Sequence, residues 1–184
     1  MPFKYYGGVH PDYAKTASKT PVRTISPPPV VVLPMIQQIG APNKPVVKVG
    51  DTVKMGQLIG SNDAPVSAPV HSSVSGKVIA VEPRRHMLGD MVMSVVIEND
   101  FQDTPCEDMK PLSEEQLKDP DAIIARIREA GVVGMGGAMF PTAFKIQGAR
   151  GKVDTVIING AECEPYLCGD HRTMLEHPEE LLKG

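Results

Sequence analysis

The 184-residue chain predicts two parts in series, a small all-β unit and then the start of an α/β unit. Between Val30 and Glu98 it is a succession of short β-branched runs punctuated by Gly, Pro and Asp, at the spacing of a small barrel or sandwich. From Ser113 helical periodicity takes over; a glycine cluster interrupts it, and one β-branched run, Val153 to Ile158, follows. The last residues, Glu179-Glu-Leu-Leu-Lys-Gly184, fall in or just after a helical pattern, without the further strands such a sheet needs. The second domain is therefore expected to be truncated.

Composition narrows the function classes. Hydrophobic residues at 41% and charged residues at 22% are ordinary for a globular protein. A net charge of -3 and a pI near 5.9 give no electrostatic footprint for nucleic acid. No run approaches a membrane span, and Met1-Pro-Phe-Lys-Tyr-Tyr is not a signal peptide. Cys106, Cys163 and Cys168 form an odd set without metal-type spacing, which predicts reduced thiols, no metal ligands and a cytosolic setting. With 18 Pro, 17 Gly and no Trp, the core must be built from Val, Ile, Leu and Met between many turns.

Residues 1–29 read as an extended arm ending in Ser26-Pro-Pro-Pro29. His10 precedes a proline in a loop and is assigned no chemistry. The β domain is placed at 30–104, with strands expected at Val30–Leu33, Val46–Val49, Gln57–Gly60, Val66–Val70, Val74–Val81 with a break at Gly76-Lys77, and Met91–Glu98. A polar linker follows to Pro111. The α/β domain is placed at 112–184. Ser113-Glu-Glu-Gln116 is a capping box flanked by Leu112 and Leu117, and Asp119-Pro120 restarts a helix as N-cap and first residue. Ile123, Ile124 and Ile127 share its inner face, and Gly131 ends it. Val153 to Ile158 reads as a buried strand, and two short helices, 170–176 and 178–182, close the chain.

Two motifs carry chemistry. Gly131, Gly134, Gly136 and Gly137 lie between a helical pattern and one that Pro141 initiates, so the backbone can turn freely and present amide N–H groups to an anion. Lys145 falls about one turn into the second helix, on the side facing back to the loop, where an ammonium can meet a phosphate. The second motif, Asn159-Gly-Ala-Glu-Cys-Glu-Pro165, leaves the C-terminal end of the expected strand, where open α/β sheets place ligands. A glycine cluster alone is as often plain loop geometry as a phosphate site; its spacing to Lys145 and to the acidic turn favours the site.

Gly134-x-Gly-Gly-Ala-x-Phe-Pro-Thr-x-x-Lys145, followed by Asn159-x-x-Glu162-x-Glu164-Pro165, resembles the flavin- and NADH-binding module of the complex I flavoprotein subunit. The wording of the acidic turn is closer to the RnfC family of the Rnf electron-transport complex, whose chains also begin with a similar Gly-Gly-Val-His-Pro. The resemblance implies FMN as cofactor and NADH as substrate, with Gly134, Gly136, Gly137, Ala138, Phe140 and Lys145 around the flavin phosphate and ring edge. Asn159, Glu162 and Glu164 would lie near the flavin and nicotinamide. Ala161 stands where the complex I protein has an Asp, so that carboxylate's role does not carry over. No catalytic side chain is assigned, because the redox chemistry belongs to the flavin.

Val49-Gly-Asp-Thr-Val-Lys-Met-Gly-Gln-Leu-Ile59, then Ser67-Ala-Pro69 and Ser75-Gly-Lys-Val78, is similar to the barrel-sandwich hybrid of biotinyl and lipoyl carriers. Carriers present a modified lysine between these halves; Ser61 to Gly76 contains none, so a swinging arm is excluded and a scaffold remains. The RnfC resemblance further implies a peripheral protein on the cytoplasmic face of a bacterial membrane, partnered by the other subunits of its complex. It would pass electrons between NADH and ferredoxin, with ion translocation, through two 4Fe-4S clusters whose ligands this sequence lacks. Competing expectations are a soluble flavoprotein reductase of the same module type, such as a cobalamin reductase or a proline-reductase-associated carrier, and a non-catalytic docking module.

Overall fold

A computed structural model describes residues 11–135 and 139–183. The readings placed on His10, Gly136, Gly137 and Ala138 lie outside them. The chain divides into two units, Ser26–Asp154 and the paired segments Met1–Ile25 and Thr155–Gly184.

The first unit is built on seven strands: β1 (Val30–Pro34), β2 (Lys44–Pro45), β3 (Thr52–Val53), β4 (Leu58–Ser61), β5 (Val70–His71), β6 (Gly76–Arg85) and β7 (Met91–Asn99). They form an antiparallel four-stranded sheet, β1-β7-β6-β3, and a three-stranded sheet, β2-β4-β5. Register places Leu33 opposite Val95 and Val78 opposite Ile97. These side chains join Met35, Val53, Ile59, Val70 and Val74 in one buried core. Aliphatic side chains of moderate size suffice because the two sheets close on each other, as expected from a chain without Trp.

Three expected strands are corrected. Val46–Val49 is not one: Val46 N donates to Ile59 O at 2.9 Å, but Lys48 N then donates to the Asp51 carboxylate at 2.9 Å, and this local bond turns the chain. Between 66 and 69 donors outside the ladder claim the carbonyls, Ala41 N donating to Val66 O at 3.0 Å and Asn43 Nδ2 to Ala68 O at 2.8 Å, which leaves only Val70–His71 as strand. The break foreseen at Gly76-Lys77 is absent; Gly76 opens β6.

Residues 104–110 run along the β3–β4 turn. Met55 N donates to Thr104 O at 2.9 Å, Cys106 N to Met55 O at 2.8 Å, and Lys54 pairs with Glu107. Ser113 and Gln116 form the foreseen reciprocal capping box at 3.0 and 3.3 Å, opening a 3-10 turn at Gln116–Lys118. Helix α1 (Pro120–Glu129) starts as expected, Asp119 accepting from Asp121 N at 3.0 Å. Helix α2 (Thr142–Ala149) is tied to it by the Arg150–Asp121 ion pair.

The helices dock on the β4–β5 connection, the hairpin that a carrier would leave free. Arg128 Nη2 donates to Ala64 O at 3.0 Å, and Gly131 lies so close that a Cβ there would come within 2.5 Å of Pro69 O. Without a lysine, and held against a helix, this hairpin is no swinging arm. Co-expression with biotin or lipoate ligase is expected to leave the intact mass unchanged; an adduct mapped to residues 30–104 would overturn the scaffold assignment.

The second unit holds α3 (Gly169–Glu176), α4 (Pro178–Lys183) and an N-terminal segment with a 3-10 turn at Thr16–Lys19. Arg172 binds the two segments together, donating through Nε to Glu176 Oε1 at 2.7 Å and through Nη1 to Ser18 O at 3.2 Å. The same carboxylate accepts from Val22 N at 3.0 Å, and Lys15 Nζ donates to Leu167 O at 2.6 Å. The Arg172 guanidinium, then the Val22 amide, hold the Glu176 carboxyl below its ordinary range. Their contribution is present above the unfolded carboxylate's pKa and is lost as pH falls through the lowered folded value. Arg172→Leu is expected to release the segment, so that trypsin at neutral pH cleaves at Lys19 and Arg23 severalfold faster than in the wild type. Unchanged cleavage would show that the Lys15–Leu167 and Val22–Glu176 bonds hold the segment without Arg172.

Val153 to Ile158, expected as a buried strand, forms none. Val156, Ile157 and Ile158 are 81%, 86% and 75% exposed. A strand needs a neighbour to bond its amides, and no strand among the described residues pairs with this run.

Candidate functional site

The glycine stretch is closed at its neck. Gly134 N donates to Phe140 O at 2.9 Å and Thr142 N to Val132 O at 3.1 Å, with Val133 and Pro141 bridged antiparallel between them. The loop so formed delivers the chain directly into the N-terminus of α2, with Pro141 as N-cap. Ala143 is buried beneath it, and the Phe140 and Phe144 rings meet edge-on with centroids 5.8 Å apart. The barrel supports the same loop, Ile39 N donating to Met139 O at 3.3 Å. Among the described loop residues the left-handed conformation falls on Met139, at φ 47°, not on Gly134. An unbranched side chain gives no sequence signal for that strain.

Lys145 stands one turn into α2, exposed, with no ion pair or side-chain hydrogen bond among the described residues. A Cα–Cβ bond in a helix tilts toward the N-terminus, so its reach is back over the loop. A helix N-terminus carrying partial positive charge, a closed loop feeding it and an unpaired ammonium one turn in together suit a phosphate.

The acidic turn is built differently. Asn159 Oδ1 accepts from Ala161 N at 2.9 Å, making an Asx turn, and Met174 lies over Gly160. Glu162 is half-buried, and its Oε1 accepts from His171 N at 3.1 Å in the first turn of α3. The helix terminus thereby fixes this carboxylate's orientation. Glu164 is exposed, and Tyr166 adopts φ 70° just beyond it. Glu162's engagement by α3 was not foreseen; an acidic residue a short loop ahead of a helix was the available signal.

Gly134, Phe140 and Lys145 thus belong to the unit Ser26–Asp154, and Asn159, Glu162 and Glu164 to the other. Among the described residues no group of three or more His, Cys, Asp or Glu is placed to hold a metal ion. No helix among them is long and apolar enough to cross a membrane.

Comparison with known proteins decides the family. Residues 3–102 match the family described as RnfC Barrel sandwich hybrid domain. The chain belongs to the RnfC family. Residues 127–184, which contain the glycine loop and the acidic turn, match the Nuo51 FMN-binding domain. The chain is 49% identical over 182 residues to the RnfC-type component of the Na(+)-translocating ferredoxin:NAD(+) oxidoreductase complex of Acetobacterium woodii, covering 98% of this chain and 41% of that protein. It is 44% identical to the proton-translocating counterpart of Clostridium ljungdahlii, covering 98% and 40%. With the corresponding component of the ion-translocating oxidoreductase complex of Serratia proteamaculans the figures are 39% identity, 97% and 26%. This RnfC chain therefore spans about two-fifths or less of the length of these relatives.

Proposed function

We propose that this chain is the flavin-binding, electron-input part of an ion-translocating oxidoreductase that passes electrons between NADH and ferredoxin. The loop neck that opens into α2, with Lys145 one turn in and unpaired among the described residues, carries the proposal, because it brings a helix N-terminus and a cation together within one stretch of chain, as an FMN phosphate needs. Gly134, Gly136, Gly137 and Ala138 would contribute backbone to the phosphate, Lys145 its charge, and Phe140 an apolar wall. Asn159, Glu162 and Glu164 would address the flavin and nicotinamide. When bound, the flavin accepts a hydride equivalent and releases electrons singly. The protein's share is to place the charge, orient a carboxylate that α3 already holds, and keep the loop closed.

The names of the relatives support a wider reading. The barrel at 30–104 serves as a scaffold, and 112–184 belong to the α/β flavin domain. Other subunits of a membrane complex are its partners, at the cytoplasmic face, and 4Fe-4S clusters would receive the electrons. The full-length protein, as purified, is expected to show flavin absorption bands that bleach when NADH is added without oxygen. A protein without flavin, which added FMN does not restore, would overturn the proposal.

A further inference from the structure

Beside Gly131, where α1 ends and the glycine stretch begins, the first unit holds a groove of about 750 Å³. One wall is the β4–β5 hairpin with His71, a second is Met109 and Lys110, and the third is α1 with Arg126 and Arg128. These walls are fixed in advance: Lys54 pairs with Glu107, Met55 exchanges backbone bonds with Thr104 and Cys106, and Met109 packs where a Gly56 side chain would stand.

The groove's charge differs from that of the chain. Lys110, Arg126 and Arg128 face it against Asp108 and Glu129, in a protein of net charge -3. Arg128 is occupied by Ala64 O, and Arg126 Nη1 stands 3.7 Å from Glu129. Arg126 Nε is buried without a partner among the described residues. That N–H has no surface open to the groove, but the Arg126 side chain as a whole is 38% exposed, and a charged donor binds an anionic acceptor most strongly. Leu58, Pro69 and Met109 give the same groove apolar surface.

We propose that this groove is a binding site for a small organic anion, a phosphate or carboxylate carried on an apolar body. Arg126 and Lys110 take the charge, and the Leu58, Pro69 and Met109 surface takes the body. Its volume lies in the roughly 300–1,000 Å³ range of small-molecule sites. Burial pushes the His71 ring below its ordinary pKa, so at neutral pH it offers hydrogen bonding without adding charge. The site is separate from the flavin loop and does not depend on the flavin reading.

The test titrates the chain, with labelled methionine methyls and histidine rings, against phenyl phosphate and against phenylacetate. Benzyl alcohol and sodium chloride at matched ionic strength are the controls. Saturable shifts at Met109 and His71 with at least one of the two anions, and with neither control, are expected; which one saturates identifies the phosphate or the carboxylate as the ligand's charge. Arg126→Gln and Lys110→Ala should each weaken that binding by about tenfold or more, the loss of one charge-assisted contact. Lys110 is exposed, so its variant keeps the fold and decides the matter if Arg126→Gln does not. Absence of saturable shifts with both anions, equal shifts with benzyl alcohol, or undiminished affinity in Lys110→Ala would overturn the site.

Discussion

Replacing Gly76 by alanine is expected to lower the thermal unfolding midpoint of the barrel by about 15 °C or more, at about 4–8 °C per kcal/mol for a domain of this size. Gly76 sits where β6 pairs with both β3 and β7, opposite Val53 and Asn99. Its φ is 155°, and a Cβ there would overlap the Glu98 carbonyl oxygen. That oxygen is backbone in a central strand, so relief requires moving the β6–β7 pairing and not merely a side chain. Backbone strain and overpacking together cost roughly 3–5 kcal/mol, against a stability of about 5–15 kcal/mol for a whole domain. Gly89, at φ 100° with open space around it, isolates the conformational part: Gly89→Ala should fall by less than half as much. Circular dichroism melts of both variants settle the matter. Equal, small shifts would mean that the ladder yields at Gly76 without resistance.

Local chemistry was readable and long-range pairing was not. Asp119-Pro120 and Ser113-Glu-Glu-Gln116 act within a few residues, so their sequence patterns become caps at the foreseen places. β1 and β7 are legible because β-branched runs long enough to cross the core leave little choice of structure. Val153 to Ile158 has the same composition and fails as a strand, because composition supplies one edge of a ladder and not its neighbour. Near the candidate site, the step from Pro141 to Lys145 is local, and α2 begins at Thr142 with Lys145 one turn in. Arg172's grip on Ser18 spans 154 residues, and nothing in either stretch announces the other. The left-handed turn at Met139 is set by the closed neck and by Ile39 of the barrel, again a distant partner.

The two charged groups of the proposed flavin site should separate when each is removed. Lys145 is exposed and, among the described residues, unpaired, so Lys145→Ala costs the fold little, and its effect falls on the ligand. Loss of a charge-assisted contact to a phosphate is worth about 1.5–3 kcal/mol, or roughly ten- to a hundredfold in FMN affinity. Turnover measured at saturating FMN should then recover much of its wild-type value, since the flavin once bound is unaltered. Lys145→Arg should keep most of the affinity, because the charge remains within reach of the loop. Glu162 stands in another situation: α3 orients it through His171 N, which fixes one carboxylate oxygen. Glu162→Gln keeps the shape and an acceptor for His171 N while removing the charge. NADH oxidation should therefore fall about tenfold or more, on the scale of one lost charged hydrogen bond, while FMN content stays near the wild-type level. Flavin content and NADH oxidation rate, measured side by side on the three variants, give the comparison. Equal flavin occupancy and equal turnover in Lys145→Ala and Glu162→Gln would remove both residues from the site, and flavin loss in Glu162→Gln alone would exchange their roles.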